Sequence, residues 1–248
     1  MSAIYDIYGS SRDYIERVWG HTETLAKYIP LHLFVAADDV ERALLLPNII
    51  VHVREFRDLE TYNVLNDTKR VPDIRNNIKD TKEFMILMNA KTEFLERVMQ
   101  TTAASHYIWI DSGITKILPS PGPILETLLT NVRNLRQDKI FIPGCSDEMH
   151  ATEHGLYLRT ILWRFCGGFF VVPKGLVRTF YETALDGCIT LCKGTGVATW
   201  EVNVWAYIES RLPIQWEKAD HNRSMLEAIV KFRVVPDDPI ITAFVIAQ

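Results

Sequence analysis

The sequence predicts an α/β fold: a mostly parallel, open central sheet with helices on both faces. Strand-like apolar runs alternate with stretches of helical periodicity along the chain, the order that builds βαβ units. One run, His106-Tyr107-Ile108-Trp109-Ile110, is continuously apolar, as a strand covered on both faces must be. No repeat, low-complexity tract or Gly/Ser-rich linker divides the 248 residues, so one domain over 1–248 is expected.

Ile4 to Tyr8 reads as a short strand closed by Gly9-Ser10-Ser11, and Arg12 to Lys27 then places Tyr14, Ile15, Val18, Leu25 and Ala26 at helical spacing. Leu31 to Ala36 is a buried-type strand ending at Asp38-Asp39, and Asn48 to Val53 is another, completing a βαβ opening. Arg54 to Asp80 is polar and reads as an irregular excursion. Thr81 to Met99 is the clearest helix. Phe84, Met85, Leu87, Met88, Phe94, Leu95 and Val98 form its apolar side, with Lys82, Glu83, Lys91, Glu93 and Glu96 largely away from it. That helix leads into the 106–110 strand, which stops at Asp111-Ser112-Gly113. Beyond it, Pro121 to Arg133 is expected to be helical and Lys139 to Ile142 a strand. Trp163 to Val172 reads as a strand kinked at Gly167-Gly168, and Lys174 to Leu185 and Thr199 to Ser210 as helices, with Thr199 as N-cap of the last.

Composition narrows the function classes. With 27 Lys+Arg against 31 Asp+Glu, a net charge of −4, 48% hydrophobic and 23% charged residues, the chain is a folded globular protein. It lacks the basic field that coating nucleic acid or anionic lipid requires. At this length about 70–75% of the unfolded surface can be buried, so neither disulfides nor a structural metal is needed. The start, Met1-Ser2-Ala3-Ile4-Tyr5-Asp6, has no signal-peptide pattern, and the longest apolar runs, such as Ile240 to Ala247, fall far short of the ~20 residues of a membrane span. Cys145, Cys166, Cys188 and Cys192 lack paired C-x-x-C spacing, so free thiols and a cytoplasmic location are expected.

In an open α/β sheet, ligands bind beyond the carboxyl ends of the strands. Asp111 sits at such an end. A carboxylate there can hold a hard divalent cation whose shell is completed by water and a diphosphate, with Gly113 leaving room. Equally, Asp, Ser and Gly are turn formers in their own right. A different chemistry is offered by His150 and His154, whose i,i+4 spacing suits zinc on one helix face. There the sequence departs from H-E-x-x-H, and a polar loop over the site is the competing reading.

Three stretches, Phe84-Met85-Ile86-Leu87-Met88-Asn89-Ala90-Lys91, Tyr107-Ile108-Trp109-Ile110-Asp111-Ser112-Gly113-Ile114 and Arg164-Phe165-Cys166-Gly167-Gly168-Phe169-Phe170, resemble in order and spacing the HtrL/YibB-like proteins, a family allied to GT-A glycosyltransferases. The resemblance spans roughly Ile4 to Ile208. It implies a GT-A-like, Rossmann-like domain with a nucleotide-binding half over about 1–113 and an acceptor-binding half over about 114–248. The implied activity moves a hexose-type sugar from a nucleotide diphosphate, UDP-linked as in UDP-galactose or UDP-glucose, to a glycan or glycoconjugate hydroxyl with Mn²⁺ or Mg²⁺.

By that resemblance Asp111 stands where such enzymes place an Asp-x-Asp metal motif, but the third position is Gly113. The missing carboxylate calls for another ligand, with His221 the candidate. The other outcomes are weaker metal binding, or a Lys or Arg that neutralises the diphosphate instead. Asp6, Tyr8, Gly9 and Arg12 fall where this fold class receives the nucleotide, Tyr8 to stack on the base and Arg12 and Lys91 to face phosphate. With Asp111, Ser112 and Gly113 they make the expected donor site. Glu201 resembles the acid that takes the acceptor's proton in an inverting transfer, or steadies an oxocarbenium-like centre in a retaining one. Its bland alternative is a first-turn Glu favouring the helix dipole. Trp200, Gly167 and Gly168 would border the sugar. A non-catalytic nucleotide- or sugar-binding module and a zinc hydrolase on His150 and His154 are the competing functions.

Overall fold

The protein is described from a computed structural model that covers residues 1–7, 12–118, 121–132, 135–147 and 155–219. Its strands are β1 (Ser2–Ala3), β2 (Leu31–Val35), β3 (Ile49–Val53), β4 (His106–Ile110), β5 (Ile140–Gly144), β6 (Phe169–Pro173) and β7 (Ile214–Lys218). β1, β2 and β3 pair in parallel, and a second set runs β4-β6-β5-β7. Within it β6 is antiparallel to both neighbours, while β5 and β7 are parallel. Met1 joins the two sets: its nitrogen donates to Ile108 O at 2.6 Å and its carbonyl accepts from Ile110 N at 2.9 Å, the slanted pattern of parallel neighbours. The strands thus follow one another as β3-β2-β1-β4-β6-β5-β7, with β6 reversed. This is the mostly parallel α/β sheet the sequence predicts.

Period-2 alternation explains why both faces are covered. Tyr107 and Trp109 of β4, Ile140 and Ile142 of β5, and Phe170 and Val172 of β6 enter one core. It is closed by α4 (Lys82–Asn89), α5 (Lys91–Thr101), α7 (Lys174–Gly187) and α8 (Glu201–Ile208). The alternate residues Ile110, Phe141, Phe169 and Val171 enter the other, closed by α1 (Arg12–Ala26) and α6 (Pro121–Val132) through Leu25, Leu125, Leu128 and Val132. Each such side chain contributes roughly 1.5–3 kcal/mol on burial. Near β1 and β2 a smaller core gathers Ile4, Trp19, Leu33, Val35 and Ala43, the last from α2 (Val40–Leu44).

Several boundaries differ from expectation. The first strand pairs at Ser2–Ala3 rather than over Ile4 to Tyr8; Ile4 N still donates to Phe34 O at 2.9 Å, and Tyr8 lies outside the described residues. The long helix is two, broken at Ala90, and both Lys91 and Glu93, expected away from the apolar side, are buried. Glu93 accepts from the backbone of Glu60 and Thr61 at the start of α3 (Glu60–Leu65), an ordered helix inside the polar 54–80 stretch. The strand expected over 163–172 begins only at Phe169 and runs through Pro173. The N-cap of α8 is Trp200 rather than Thr199, whose hydroxyl donates to Tyr157 O at 2.7 Å. The four cysteines are thiols, as expected. Among the described residues no helix is long and apolar enough to cross a membrane.

Candidate active site

β4 ends against a turn that fixes Asp111. Its backbone N–H donates to Gly168 O at 2.8 Å, and its φ and ψ of −67° and 135° place it at the mouth of a 3₁₀ turn over Ser112–Ile117. The side chain, 34% exposed, lines a cleft of about 520 Å³ bordered by β1, β4, the 167–168 segment and the start of α8. Trp109 donates its indole N–H to Asp111 Oδ1 at 2.6 Å, which orients the carboxylate from two residues back on the same strand face.

Beneath the cleft lies a buried ammonium. Lys91, 1% exposed at the first position of α5, donates to Glu201 Oε1 at 2.7 Å and to Gly167 O at 2.8 Å, with Asp111 Oδ1 at 3.1 Å. These three partners use all the donors an ammonium has. Burial pulls the Lys91 pKa down, but Asp111 and Glu201 outweigh it and hold the amine above the usual lysine range. Asp111, Glu201 and Lys91 together carry one net negative charge. Asn89 ties the same floor together, its amide donating to Met85 O and Thr199 O, each at 2.8 Å.

Several of the other residues singled out in the sequence line the same cleft. Glu201 is in the first turn of α8, buried, and on the cleft wall with Trp200. Gly167 is a place of close approach within the protein: a Cβ there would overlap Glu201 Oε1. Gly168 is less constrained, its Cβ position being 3.6 Å from Asp111 Oδ2. Ser112 lines the cleft, but its hydroxyl pairs with Ser2 Oγ at 2.8 Å. Asp6 is exposed and is not among the residues that line the cleft. Lys91, expected to face phosphate, is corrected: with its ammonium sealed beneath the cleft it organises the two acids. Tyr8, Gly9, His150, His154 and His221 lie outside the described residues, as does the side chain of Arg12.

A divalent cation finds a poor donor set here. Among the described residues no three His, Cys, Asp or Glu side chains cluster as metal ligands. Asp111, the acid at the strand end, already carries an indole N–H and an ammonium. At Gly113, where the motif's second acid would stand, the Lys116 ammonium lies 3.6 Å from the position a Cβ would take. These described residues do not fit a cation held by the protein.

Sequence reasoning missed the bridging role of Lys91 and the presence of Lys116 and Lys79 on the cleft wall. One signal existed: Lys91 stands between Ala90 and the apolar pair Phe94-Leu95, at a helix position that turns inward, where a lysine must find carboxylates.

No protein-family model matches the chain, and no curated protein matches it. Among solved structures the chain is similar to mouse xyloside xylosyltransferase 1 in its apo form, at 12% identity over 94% of this chain and 92% of that one, with a TM-score of 0.47. The functional reading therefore rests on the side chains of the cleft.

Proposed function

We propose that the protein is a glycosyltransferase that moves a hexose-type sugar from a UDP-linked donor to a glycan or glycoconjugate hydroxyl. The observation that carries this reading is the convergence of Asp111 and Glu201 on one cleft, at the carboxyl end of β4 and the start of α8, with Lys91 bonded to both. Two carboxylates fixed in advance at one crevice suit a reaction that deprotonates a hydroxyl while positive charge develops at an anomeric carbon.

In the inverting form, the acceptor oxygen attacks the anomeric carbon as the bond to the diphosphate oxygen breaks. UDP departs with the bonding electrons, and the acceptor proton passes to Glu201. Lys91 holds Oε1, and among the described residues Oε2 makes no hydrogen bond, so it is the atom available to take that proton. In the retaining form the same carboxylate steadies the oxocarbenium-like centre. Asp111, partly exposed, accepts hydrogen bonds from the donor's hydroxyls, and Trp200 gives the sugar an apolar edge.

The test pairs binding with turnover across a panel of nucleotide sugars. Glu201→Gln is expected to cut transfer by about 10²–10⁴-fold while donor binding, read by thermal shift, is retained. Asp111→Asn is expected to lower turnover, and equal turnover would remove Asp111 from the mechanism. UDP binding without transfer to any acceptor would identify a non-catalytic module. Absence of nucleotide-sugar binding altogether would end the reading.

A further inference from the structure

Gly113 and Lys116 are three residues apart in the 3₁₀ turn that follows Asp111. In a 3₁₀ helix, residues i and i+3 eclipse, so the lysine folds over the glycine. The geometry is direct: Lys116 Nζ lies 3.6 Å and Cε 3.8 Å from where a Cβ on residue 113 would be. Lys116 lines the cleft, is exposed, and among the described residues forms no ion pair with a carboxylate. A positive field at this rim is felt by His21, whose pKa is lowered by burial and then by Lys116 and Arg17.

Resting on the nucleotide-sugar reading, we propose that Lys116 is the leaving-group cation of this site: its ammonium, in the space a second motif acid would claim, neutralises the donor's diphosphate in place of a divalent metal ion. The substitution is chemically coherent. A second acid at 113 would pair with Lys116 and cancel it; glycine leaves the ammonium to a phosphate oxygen. The floor beneath, with Asp111, Glu201 and Lys91 summing to one negative charge, repels a diphosphate that brings no cation of its own, so a rim cation is required. Lys91 cannot fill that role, because Gly167 O, Glu201 and Asp111 already take its three donors. As the glycosidic C–O bond breaks, the electron pair goes to the diphosphate oxygen, and the Lys116 ammonium stabilises that charge by charge-assisted hydrogen bonding without giving up its proton.

The experiment compares UDP with uridine, which lacks the diphosphate, by calorimetry on the full chain, after EDTA treatment and again with Mn²⁺ added. Wild-type protein is expected to bind UDP equally in both conditions. Lys116→Met should weaken UDP by about tenfold or more, leave uridine unchanged and fold normally, since residue 116 is exposed; Lys116→Arg should restore most of the affinity. Loss of UDP binding in EDTA with full recovery in Mn²⁺, identical in wild type and Lys116→Met, would overturn the proposal while leaving the glycosyltransferase reading in place. Failure of both UDP and uridine to bind in either condition would overturn the two together.

Discussion

The floor and the rim of the cleft each present a lysine beside a glycine, and the two pairs behave oppositely. On the floor, Lys91 is buried, saturated with hydrogen bonds and locked against Glu201, and Gly167 admits no side chain. On the rim, Lys116 is exposed and Gly113 faces only the movable end of that lysine. Burial decides the difference. An ammonium removed from water is tolerable only with carboxylates around it, and it then acts on the protein. One left in water keeps its donors for a ligand.

The sharpest way to break the comparison is to remove each charge. Lys91→Met leaves two carboxylates beside a buried apolar side chain, and losing one partner of a buried ion pair costs about 3–5 kcal/mol. Urea denaturation should show that loss, whereas Lys116→Met should stay within about 0.5 kcal/mol of wild type. Equal effects would mean that Lys91 is not the keystone of the floor.

A smaller effect is expected from the glycines. Gly167→Ala forces Glu201 off Lys91 or shifts the 163–168 segment, at about 1–3 kcal/mol, and should depress turnover because the acid moves. Gly113→Ala meets only flexible side-chain atoms at ordinary contact distance and should stay within about 0.5 kcal/mol. Thermal unfolding and single-substrate kinetics on the two variants read both consequences.

The floor was partly legible in the sequence. Asp111 stood out because a continuous apolar run ended on an acid, whereas Glu201 was singled out only by the family resemblance, its place in a helix's first turn having a purely structural reading. The bridge between them through Lys91 was not legible. Lys91, Asp111 and Glu201 lie on three segments separated by 20 and 90 residues, and nothing local in any of them announces the others. The helix break at Ala90 was hidden for the same reason, since Asn89 and Lys91 are turned inward by distant partners in 111, 167 and 199. β7 was missed because Ile214-Gln215-Trp216-Glu217-Lys218 is mostly polar and only partly buried, at the end of the strand order. Gly167 and Gly168 were expected to border the sugar; the group that approaches Gly167 is Glu201, and Gly168 meets its neighbours at ordinary contact distance.

A partly buried pair of imidazoles offers a contrast to Lys91. His32 of β2 and His52 of β3 share a 2.8 Å Nδ1–Nε2 hydrogen bond, with Phe34 stacked on His52. Burial, then the chain's amino terminus and His52, lower the His32 pKa to about 4. Lys91 is held charged by carboxylates; His32, partly desolvated against His52 and near the amino terminus, is held neutral. The consequence runs toward acid. Below pH 6.5 the unfolded chain takes up a proton that the folded His32 refuses until about pH 4, so its contribution is present above pH 6.5 and lost as pH falls through that window. With His32 only partly buried, solvent screening reduces the loss to about 1–2 kcal/mol. The stability difference between wild type and His32→Gln should therefore shrink by about that amount between pH 7 and pH 4; a difference that stays constant would show that the pair titrates as freely in the fold as in the unfolded chain.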